Sequence, residues 1–287
     1  VVSVMRALEY TSYLAIAATA LYFVYRRHRR LASVVSIKLA APQAKQPAGS
    51  DVDVAAHLAE VRARVLAAGK PSSTLVAVSK TKPVEMLRLA YDAGQRDFGE
   101  NYVNEIIEKA PQLPDDIRWH FIGHLQTNKA KDLLKVTNLH SLHTVDSLKL
   151  AQELQKRAAK LRSSAPTLNV FVQVNTSAEA SKSGCPPADC SSLCLFVREQ
   201  CPALCLVGLM CIGKYSASEG GSGEDFACLS RCRVAAAKAL GLAAPESLFM
   251  SMGMSHDFEA ALAAGATHVR VGSTIFGTRA PKLPQSK

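Results

Sequence analysis

The chain has 287 residues, 48% of them hydrophobic and 20% charged, which is typical of a globular protein and excludes a wholly disordered one. Seven basic residues and one acidic residue lie within positions 1–47, so that segment carries +6 of the formal net charge of +10. The remaining charge of +4 is ordinary. No basic stripe interleaved with aromatic residues accompanies it, which argues against a nucleic-acid partner.

The first 50 residues differ in character from the rest. An apolar run of 16 residues from Tyr10 to Tyr25 is followed by Arg26-Arg-His-Arg-Arg30, and residues 41–50 have the composition of a linker. The run is shorter than the ~20 residues that span a bilayer comfortably. Three alternatives stay open: a short membrane anchor, an organelle-targeting presequence, and translated sequence absent from the mature protein. We expect an intracellular protein, in the cytosol or an organelle according to the fate of this segment.

From Asp51 onward, short apolar runs alternate with helical patterns. After a first helix at Val54–Ala68, strands are predicted at Leu75–Val78, Asp97–Gly99, Trp119–Ile122, Leu142–Val145, Val170–Val174, Leu206–Met210, Ser247–Met250 and His268–Val271. Helices are predicted between them at Val84–Ala93, Tyr102–Ala110, Asn128–Lys135, Ser147–Leu161, Ser191–Glu199, Asp225–Leu240 and Asp257–Ala264.

This strict alternation predicts an α/β fold with a single (β/α)8 barrel of the triosephosphate-isomerase (TIM) type over residues 51–280, with 281–287 as a tail. A doubly wound open sheet is the alternative. Residues Ser216 to Gly223 predict a flexible loop.

Lys80 follows the first predicted strand, where α/β folds place their chemistry. An amine forms a Schiff base readily when its pKa is lowered, and burial at a strand end together with the nearby Lys82 would lower it. The alternative is that both lysines are solvated loop residues, which is the usual state of lysine.

The loops after the seventh and eighth strands combine glycines with serines, in Ser251-Met-Gly-Met-Ser-His-Asp257 and Arg270-Val-Gly-Ser-Thr274. TIM barrels often hold a phosphate in these two loops. A reactive amine on one side and a phosphate site on the other predict a cofactor with an aldehyde and a phosphate, and pyridoxal 5'-phosphate (PLP) has both groups.

All eight cysteines lie between Cys185 and Cys232, three pairs of them four residues apart. This spacing suits a helix face packed in a core, and the segment has neither a CxxC pair nor a histidine. We therefore expect reduced thiols and no metal site.

The chain from about Val54 to Arg279 resembles the pyridoxal-phosphate homeostasis proteins, a family of PLP-binding barrels related to the amino-terminal domain of alanine racemase. The resemblance rests on Ala77-Val-Ser-Lys-Thr-Lys-Pro83, Phe98-Gly-Glu-Asn-Tyr102, Trp119-His-Phe-Ile-Gly123, Leu125-Gln126, Asn128-Lys129, Ser181-Lys-Ser-Gly184, Gly208-Leu-Met210, Ser251-Met-Gly-Met-Ser255 and Val269-Arg-Val-Gly-Ser-Thr-Ile-Phe-Gly277. The cysteine-rich stretch and the Ser216 to Gly223 insert depart from the family pattern without touching these motifs.

The resemblance implies that Lys80 forms the internal aldimine and that Arg270 faces the pyridine nitrogen. It further implies two groups of residues that hold the phosphate or line the pocket. The phosphate group comprises Ser251, Gly253, Ser255, Gly272 and Ser273, and the lining group comprises Asn101, His120, Asn175 and Met210.

Two functions of different class then compete. A racemase needs a base on each face of the substrate carbon. In the related alanine racemases the second base comes from an additional β-domain, and only residues 278–287 follow Gly277 here. An arginine beside the ring nitrogen also disfavours the pyridinium form, which is the better electron sink. We therefore expect a monomeric, non-catalytic protein that buffers PLP and delivers it to apo-enzymes, with an amino-acid racemase as the alternative.

Overall fold

The computed structural model describes residues 52–162, 167–179, 182–214 and 223–278. Eight parallel strands close into one barrel in chain order. They are β1 Thr74–Val78, β2 Asp97–Glu100, β3 Arg118–Phe121, β4 Leu139–Val145, β5 Leu168–Gln173, β6 Leu204–Met210, β7 Phe249–Ser251 and β8 His268–Val271. Because β1 pairs with β8, with Thr74 opposite His268, the predicted barrel is confirmed and the open-sheet alternative is wrong.

Helices precede β1 and follow each strand. They are α1 Val54–Ala68, α2 Val84–Asp92, α3 Val103–Lys109, α4 Ala130–Leu133, α5 Leu148–Leu161, α6 Cys190–Gln200, α7 Gly223–Ala239, α8 Phe258–Ala263 and α9 Ser273–Phe276. Side chains cap two of them: Asp53 accepts from the amide of Ala56 at 3.0 Å, and Ser147 accepts from that of Leu150 at 3.4 Å. Single 3-10 turns lie at Ala110–Gln112, Thr127–Lys129, Pro187–Asp189 and Pro245–Ser247.

The main apolar core lies between the strands and the helices. Trp119 and Phe98 are fully buried there, with ring centroids 6.0 Å apart. The barrel interior is more polar than the branched apolar filling usual for this fold. His143 stacks on Phe171 inside the barrel at a centroid distance of 4.1 Å, and Arg270 is buried there as well.

Three sequence predictions fall outside the described residues. They concern the extension at residues 1–50, most of the Ser216 to Gly223 insert and the tail at 281–287. No helix within the described ranges is long and apolar enough to cross a membrane.

Candidate functional site

Lys80 lies in the turn after β1, and residues 79–82 are called the Lys80 turn. Its side chain is partly buried and lines a cavity of about 250 Å³ at the carboxyl ends of β1 and β8. Lys82 lines the same cavity and donates from Nζ to the carbonyl oxygen of Thr278 at 2.9 Å. The structure thus places both lysines at one partly enclosed site.

A buried ion cluster lies behind the Lys80 turn. The Lys109 Nζ donates to Glu100 Oε1 at 2.8 Å and to Glu105 Oε2 at 2.6 Å. It also donates to the backbone carbonyl of Ser79 at 3.0 Å. The Ser79 hydroxyl in turn donates to Glu100 Oε1 at 2.7 Å. Lys109 is 6% exposed and Glu100 is 0% exposed, so the contact between these two side chains is shielded from solvent and from salt.

The same cluster fixes an unfavourable backbone conformation beside Lys80. Thr81 has φ of +63°, which costs a β-branched residue on the order of 1–3 kcal/mol. Its backbone amide donates to Glu105 Oε2 at 2.7 Å, which holds it in place. Burial raises the pKa of Glu100, and the attraction of Lys109 opposes that rise.

Serine and glycine form the other side of the cavity. Ser255, Gly272 and Ser273 all line it, together with Val78. The backbone amide of Gly272 donates to Ser255 Oγ at 3.1 Å, so the loop after β7 is tied to the loop after β8. A Cβ at Gly272 would lie 3.2 Å from the carbonyl oxygen of Val78, which leaves little room for a side chain.

The structure does not bring Ser251 or Gly253 to this cavity. Ser251 is fully buried at the end of β7, and its hydroxyl faces the barrel interior. Gly253 has φ of +91°, and a Cβ there would lie 2.5 Å from that of Ala261. The carbonyl of Gly253 accepts from the backbone amide of Arg270 at 3.0 Å. Gly253 therefore shapes the loop that presents Ser255.

Arg270 lies inside the barrel, two residues before Gly272. Its Nη1 donates to Ser251 Oγ at 2.8 Å, and its Nη2 donates to the carbonyl oxygen of Cys211 at 2.9 Å. Burial lowers the pKa of Arg270 from a value so high that the guanidinium stays charged. Burial also raises the pKa of the Cys211 thiol to about 12.

The remaining predicted residues lie apart from the Lys80 cavity. His120 is 1% exposed within the barrel, with a ring nitrogen 3.0 Å from Asp97 Oδ1. Asn101 lines a separate cavity of about 270 Å³ with Tyr102 and His124.

Asn175 lies just after β5, and Met210 is the last residue of β6. The side-chain amide of Asn175 donates to the carbonyl of Glu179 at 2.9 Å and so ties down its own loop. Met210 is fully buried.

Sequence reasoning missed Lys109, Glu105, Ser141 and His143. The ion pair of Lys109 with Glu100 joins the end of helix α3 to the end of strand β2, so no local sequence pattern predicts it. A weak signal was available for His143, because a polar residue in an apolar run is unusual for a buried parallel strand.

All eight cysteines are free thiols, and Cys205 alone is exposed. Among the described residues no cluster of His, Cys, Asp and Glu side chains is arranged to hold a metal ion.

Comparison with known proteins gives a consistent result. Residues 52–280 match the family model described as alanine racemase, N-terminal domain. A pyridoxal phosphate homeostasis protein from Bos taurus is 49% identical over 211 residues, covering 71% of this chain and 77% of the relative. The chain belongs to the pyridoxal phosphate homeostasis protein family.

Solved structures agree with this membership. PipY of Synechococcus elongatus, solved with PLP bound, is 36% identical with a TM-score of 0.64, and the match covers 78% of this chain and all of PipY. Alanine racemase from Bartonella henselae has a TM-score of 0.61 at 16% identity, covering 80% of this chain and 62% of the racemase. At that identity the racemase shows a shared fold, whereas the homeostasis proteins show the family.

Proposed function

We propose that this protein binds PLP, with Lys80 as the amine that holds it covalently and with Ser255, Gly272 and Ser273 around its phosphate. The observation that carries the proposal is the cavity of about 250 Å³ that has Lys80 on one side and these three residues on the other. Lysine is the side chain that condenses with an aldehyde, and hydroxyls with a closely approaching backbone suit a phosphate. The PLP-bound state of PipY supports the same ligand.

When bound, PLP supplies an electrophilic aldehyde carbon, and the residues of the chain hold it in place. The ion cluster behind the Lys80 turn directs the lysine into the cavity. Lys82 adds a second positive charge on the same wall, which suits a phosphate. Arg270 is proposed to face the ring. Asn101, Asn175 and Met210 are proposed to line the remainder of the pocket, as the family resemblance implies.

We further propose that the protein acts in PLP homeostasis, buffering the cofactor and delivering it to apo-enzymes without turnover, as a monomer. The names of the relatives support this role, and the racemases are distant at 16% identity. The barrel is proposed to occupy residues 51–280, in agreement with the matched range of 52–280.

Borohydride reduction followed by peptide mapping tests the attachment. Wild-type protein incubated with PLP is expected to show a visible absorption band that reduction removes, and the pyridoxyl group is expected on the peptide that contains Lys80. Lys80→Ala should abolish the band, whereas Lys82→Ala, the matched lysine in the same cavity, should retain it. A pyridoxyl group on Lys82 or Lys182 in the wild type would refute the assignment.

Incubation of the loaded protein with L-alanine in deuterated water tests the absence of turnover. We expect no D-alanine and no Lys80-dependent exchange of the α-proton beyond that of free PLP. Sustained exchange with formation of the D-isomer at an enzymatic rate would replace the carrier function with that of a racemase.

A further inference from the structure

A continuous chain of hydrogen bonds runs through the barrel from Arg270. Arg270 Nη1 donates to Ser251 Oγ at 2.8 Å, and Ser251 Oγ lies 2.9 Å from His143 Nδ1. On the other side of that ring, His143 Nε2 lies 2.9 Å from the hydroxyl of Ser141.

The chain then reaches the opposite rim. Ser141 Oγ lies 2.7 Å from His120 Nδ1, and His120 Nε2 lies 3.0 Å from Asp97 Oδ1. Asp97 begins β2, at the amino-terminal end of the barrel, and its side chain is 14% exposed. The polar chain, defined as Arg270, Ser251, His143, Ser141, His120 and Asp97, therefore joins the interior next to Gly272 with solvent at the far end.

Counting protons gives the polar chain a direction. Arginine only donates, so Ser251 accepts from Arg270 and its own hydroxyl proton points to His143 Nδ1. His143 must then carry its proton on Nε2, which faces both Ser141 Oγ at 2.9 Å and His120 Nδ1 at 3.0 Å. At the far end, Arg118 and His120 hold the pKa of Asp97 far below its usual value despite burial, so Asp97 is a carboxylate and only accepts.

Neutral His120 completes the pattern. Its Nδ1 accepts from Ser141 Oγ and also lies 3.0 Å from the His143 Nε2–H, and its own Nε2–H donates to Asp97. By either route the bonds point from the arginine to the carboxylate. A cationic His120 would reverse the middle bonds and leave the Ser251 proton without an acceptor among the described residues. Aligned hydrogen bonds of this kind polarise one another, which strengthens the whole series.

The polar chain also accounts for a buried cation. Arg270 is 4% exposed, and the charge of Asp257 favours its cationic form. An uncompensated buried charge is costly. Arg270 donates hydrogen bonds to the Ser251 hydroxyl and to the backbone carbonyl of Cys211. Through Ser251 it is connected by the polar chain to the Asp97 carboxylate.

We propose that Asp97, His120, Ser141 and His143 are positioning residues that fix the orientation of Arg270 through Ser251 and thereby set the affinity and the spectrum of bound PLP. This rests on the proposed function, since it takes Arg270 to contact the ring of the cofactor. It also gives His120 and Ser251 roles inside the barrel in place of the pocket and phosphate roles that the family resemblance implies.

The first experiment needs no cofactor. The full chain, labelled with ¹⁵N-histidine and free of PLP, is examined by long-range ¹⁵N–¹H NMR at pH 7, with His120→Gln and His143→Gln variants to assign the signals. Both rings are expected to be neutral with the proton on Nε2. A doubly protonated His120, or a His143 proton on Nδ1, would overturn the direction of the polar chain.

The second experiment measures PLP affinity and the position of the visible band. Asp97→Asn keeps an acceptor oxygen but removes the charge at the far end, so affinity is expected to fall about threefold to tenfold with a shifted band. His143→Gln interrupts the series of hydrogen bonds, so its affinity for PLP is expected to fall by about tenfold or more. Two variants serve as matched controls, Arg96→Gln near the same rim, whose side chain pairs with Asp116, and His268→Gln inside the barrel, and both should stay within about twofold of wild type.

The outcomes separate the two proposals. Wild-type protein that binds no PLP would refute the proposed function, and the role of the four residues toward PLP with it, while the NMR result would still show whether the polar chain exists. Wild-type protein that binds PLP, with Asp97→Asn and His143→Gln indistinguishable from the two controls, would overturn the positioning role alone. Circular dichroism confirms that each variant is folded, and Asp97→Asn, at the partly exposed rim, carries the test if His143→Gln does not fold.

Discussion

Gly272 illustrates how one missing side chain defines a binding site. Its backbone joins the two loops through Ser255, and the space a Cβ would occupy is bounded by Val78. Its φ of −121° is accessible to any residue, so what requires glycine here is space. A larger side chain would therefore require Val78 to shift by a few tenths of an ångström, and the atoms beyond its Cβ would crowd the cavity that Val78 and Gly272 both line.

Gly272→Val is expected to discriminate between two ligands. The added methyl groups would displace a phosphate from Ser255 and Ser273, and the lost charge-assisted hydrogen bonds should weaken PLP by about tenfold or more. Pyridoxal lacks that group and should lose less than about threefold. Fluorescence titration with both ligands measures this, with Gly223→Val as the control, since nothing lies within 4 Å of a Cβ there. Equal losses for both ligands would place the phosphate elsewhere.

At the scale of elements, α3 and the end of β2 together hold the Lys80 turn. Lys109, the last residue of α3, bonds to Glu100 and to the carbonyl of Ser79 within a solvent-free space. Removal of one partner from a buried ion pair leaves an uncompensated charge, which costs more than the pair contributes. The effect of Lys109 on the site therefore acts through the backbone of the turn.

Lys109→Met is expected to destabilise the protein by about 3–5 kcal/mol, because Glu100 loses its counter-charge. It is also expected to weaken PLP binding, because the backbone conformation of Thr81 loses its support. Urea unfolding and PLP titration measure the two effects. Lys135→Met, which breaks the exposed pair with Asp132, should cost less than about 1 kcal/mol. Adding Glu100→Gln to Lys109→Met should restore part of the stability. If Lys109→Met were as stable as Lys135→Met and bound PLP as tightly, the ion cluster would have no role in holding the Lys80 turn.

The secondary-structure elements could be predicted from the sequence more completely than the contacts between them. Most of the eight strands are short apolar runs with a local signal of their own, and the differences from the predicted strands are confined to their ends. Strand β7 is Phe249–Ser251 instead of the predicted Ser247–Met250, because Pro245 starts a 3-10 turn that extends through Ser247. Helix α4 is shorter than predicted because Thr127–Lys129 forms another such turn.

The site followed a similar rule. The cavity residues Lys80, Ser255 and Gly272 stand in contiguous motifs, so sequence reasoning found them. The polar chain was missed because its members come from five strands, and only the closed barrel brings them together. The serine and glycine motif that Ser251 begins predicts a phosphate contact, yet Ser251 ends β7 with its hydroxyl toward the barrel axis.

At the scale of the whole molecule, the barrel encloses histidines that must remain neutral. Burial lowers the pKa of His268 to about 3, with the positive charge of Arg270 lowering it further and the Asp97 carboxylate opposing the shift. Burial also holds the pKa of His143 well below its usual value, with the positive charge of Arg270 adding to the shift. In the unfolded chain both side chains would titrate near 6.5.

These two histidines make the stability of the folded protein fall at acidic pH. Below pH 6.5 the unfolded state binds protons that the folded state refuses, so stability is fully present above about pH 6.5 and declines as the pH falls toward the folded pKa values. The low pKa of Asp97 confines its own contribution to more acidic conditions, below about pH 4. As the pH falls from 6.5 to 4.5 the buried histidines therefore lower the stability, whereas Glu100, whose pKa is raised by burial, opposes them because the folded state takes up its proton more readily.

We expect the urea midpoint of the PLP-free protein to fall steadily from pH 7 to pH 4.5. His268→Gln should remove about 1–2 kcal/mol of that decline, because glutamine cannot titrate. His124→Gln, at an exposed position, should leave the slope unchanged. PLP must be absent throughout, since a ligand of the folded state would add stability of its own. A decline in His268→Gln as steep as in wild type would show that this histidine takes up its proton without unfolding of the barrel, and that the interior admits charge more readily than its burial indicates.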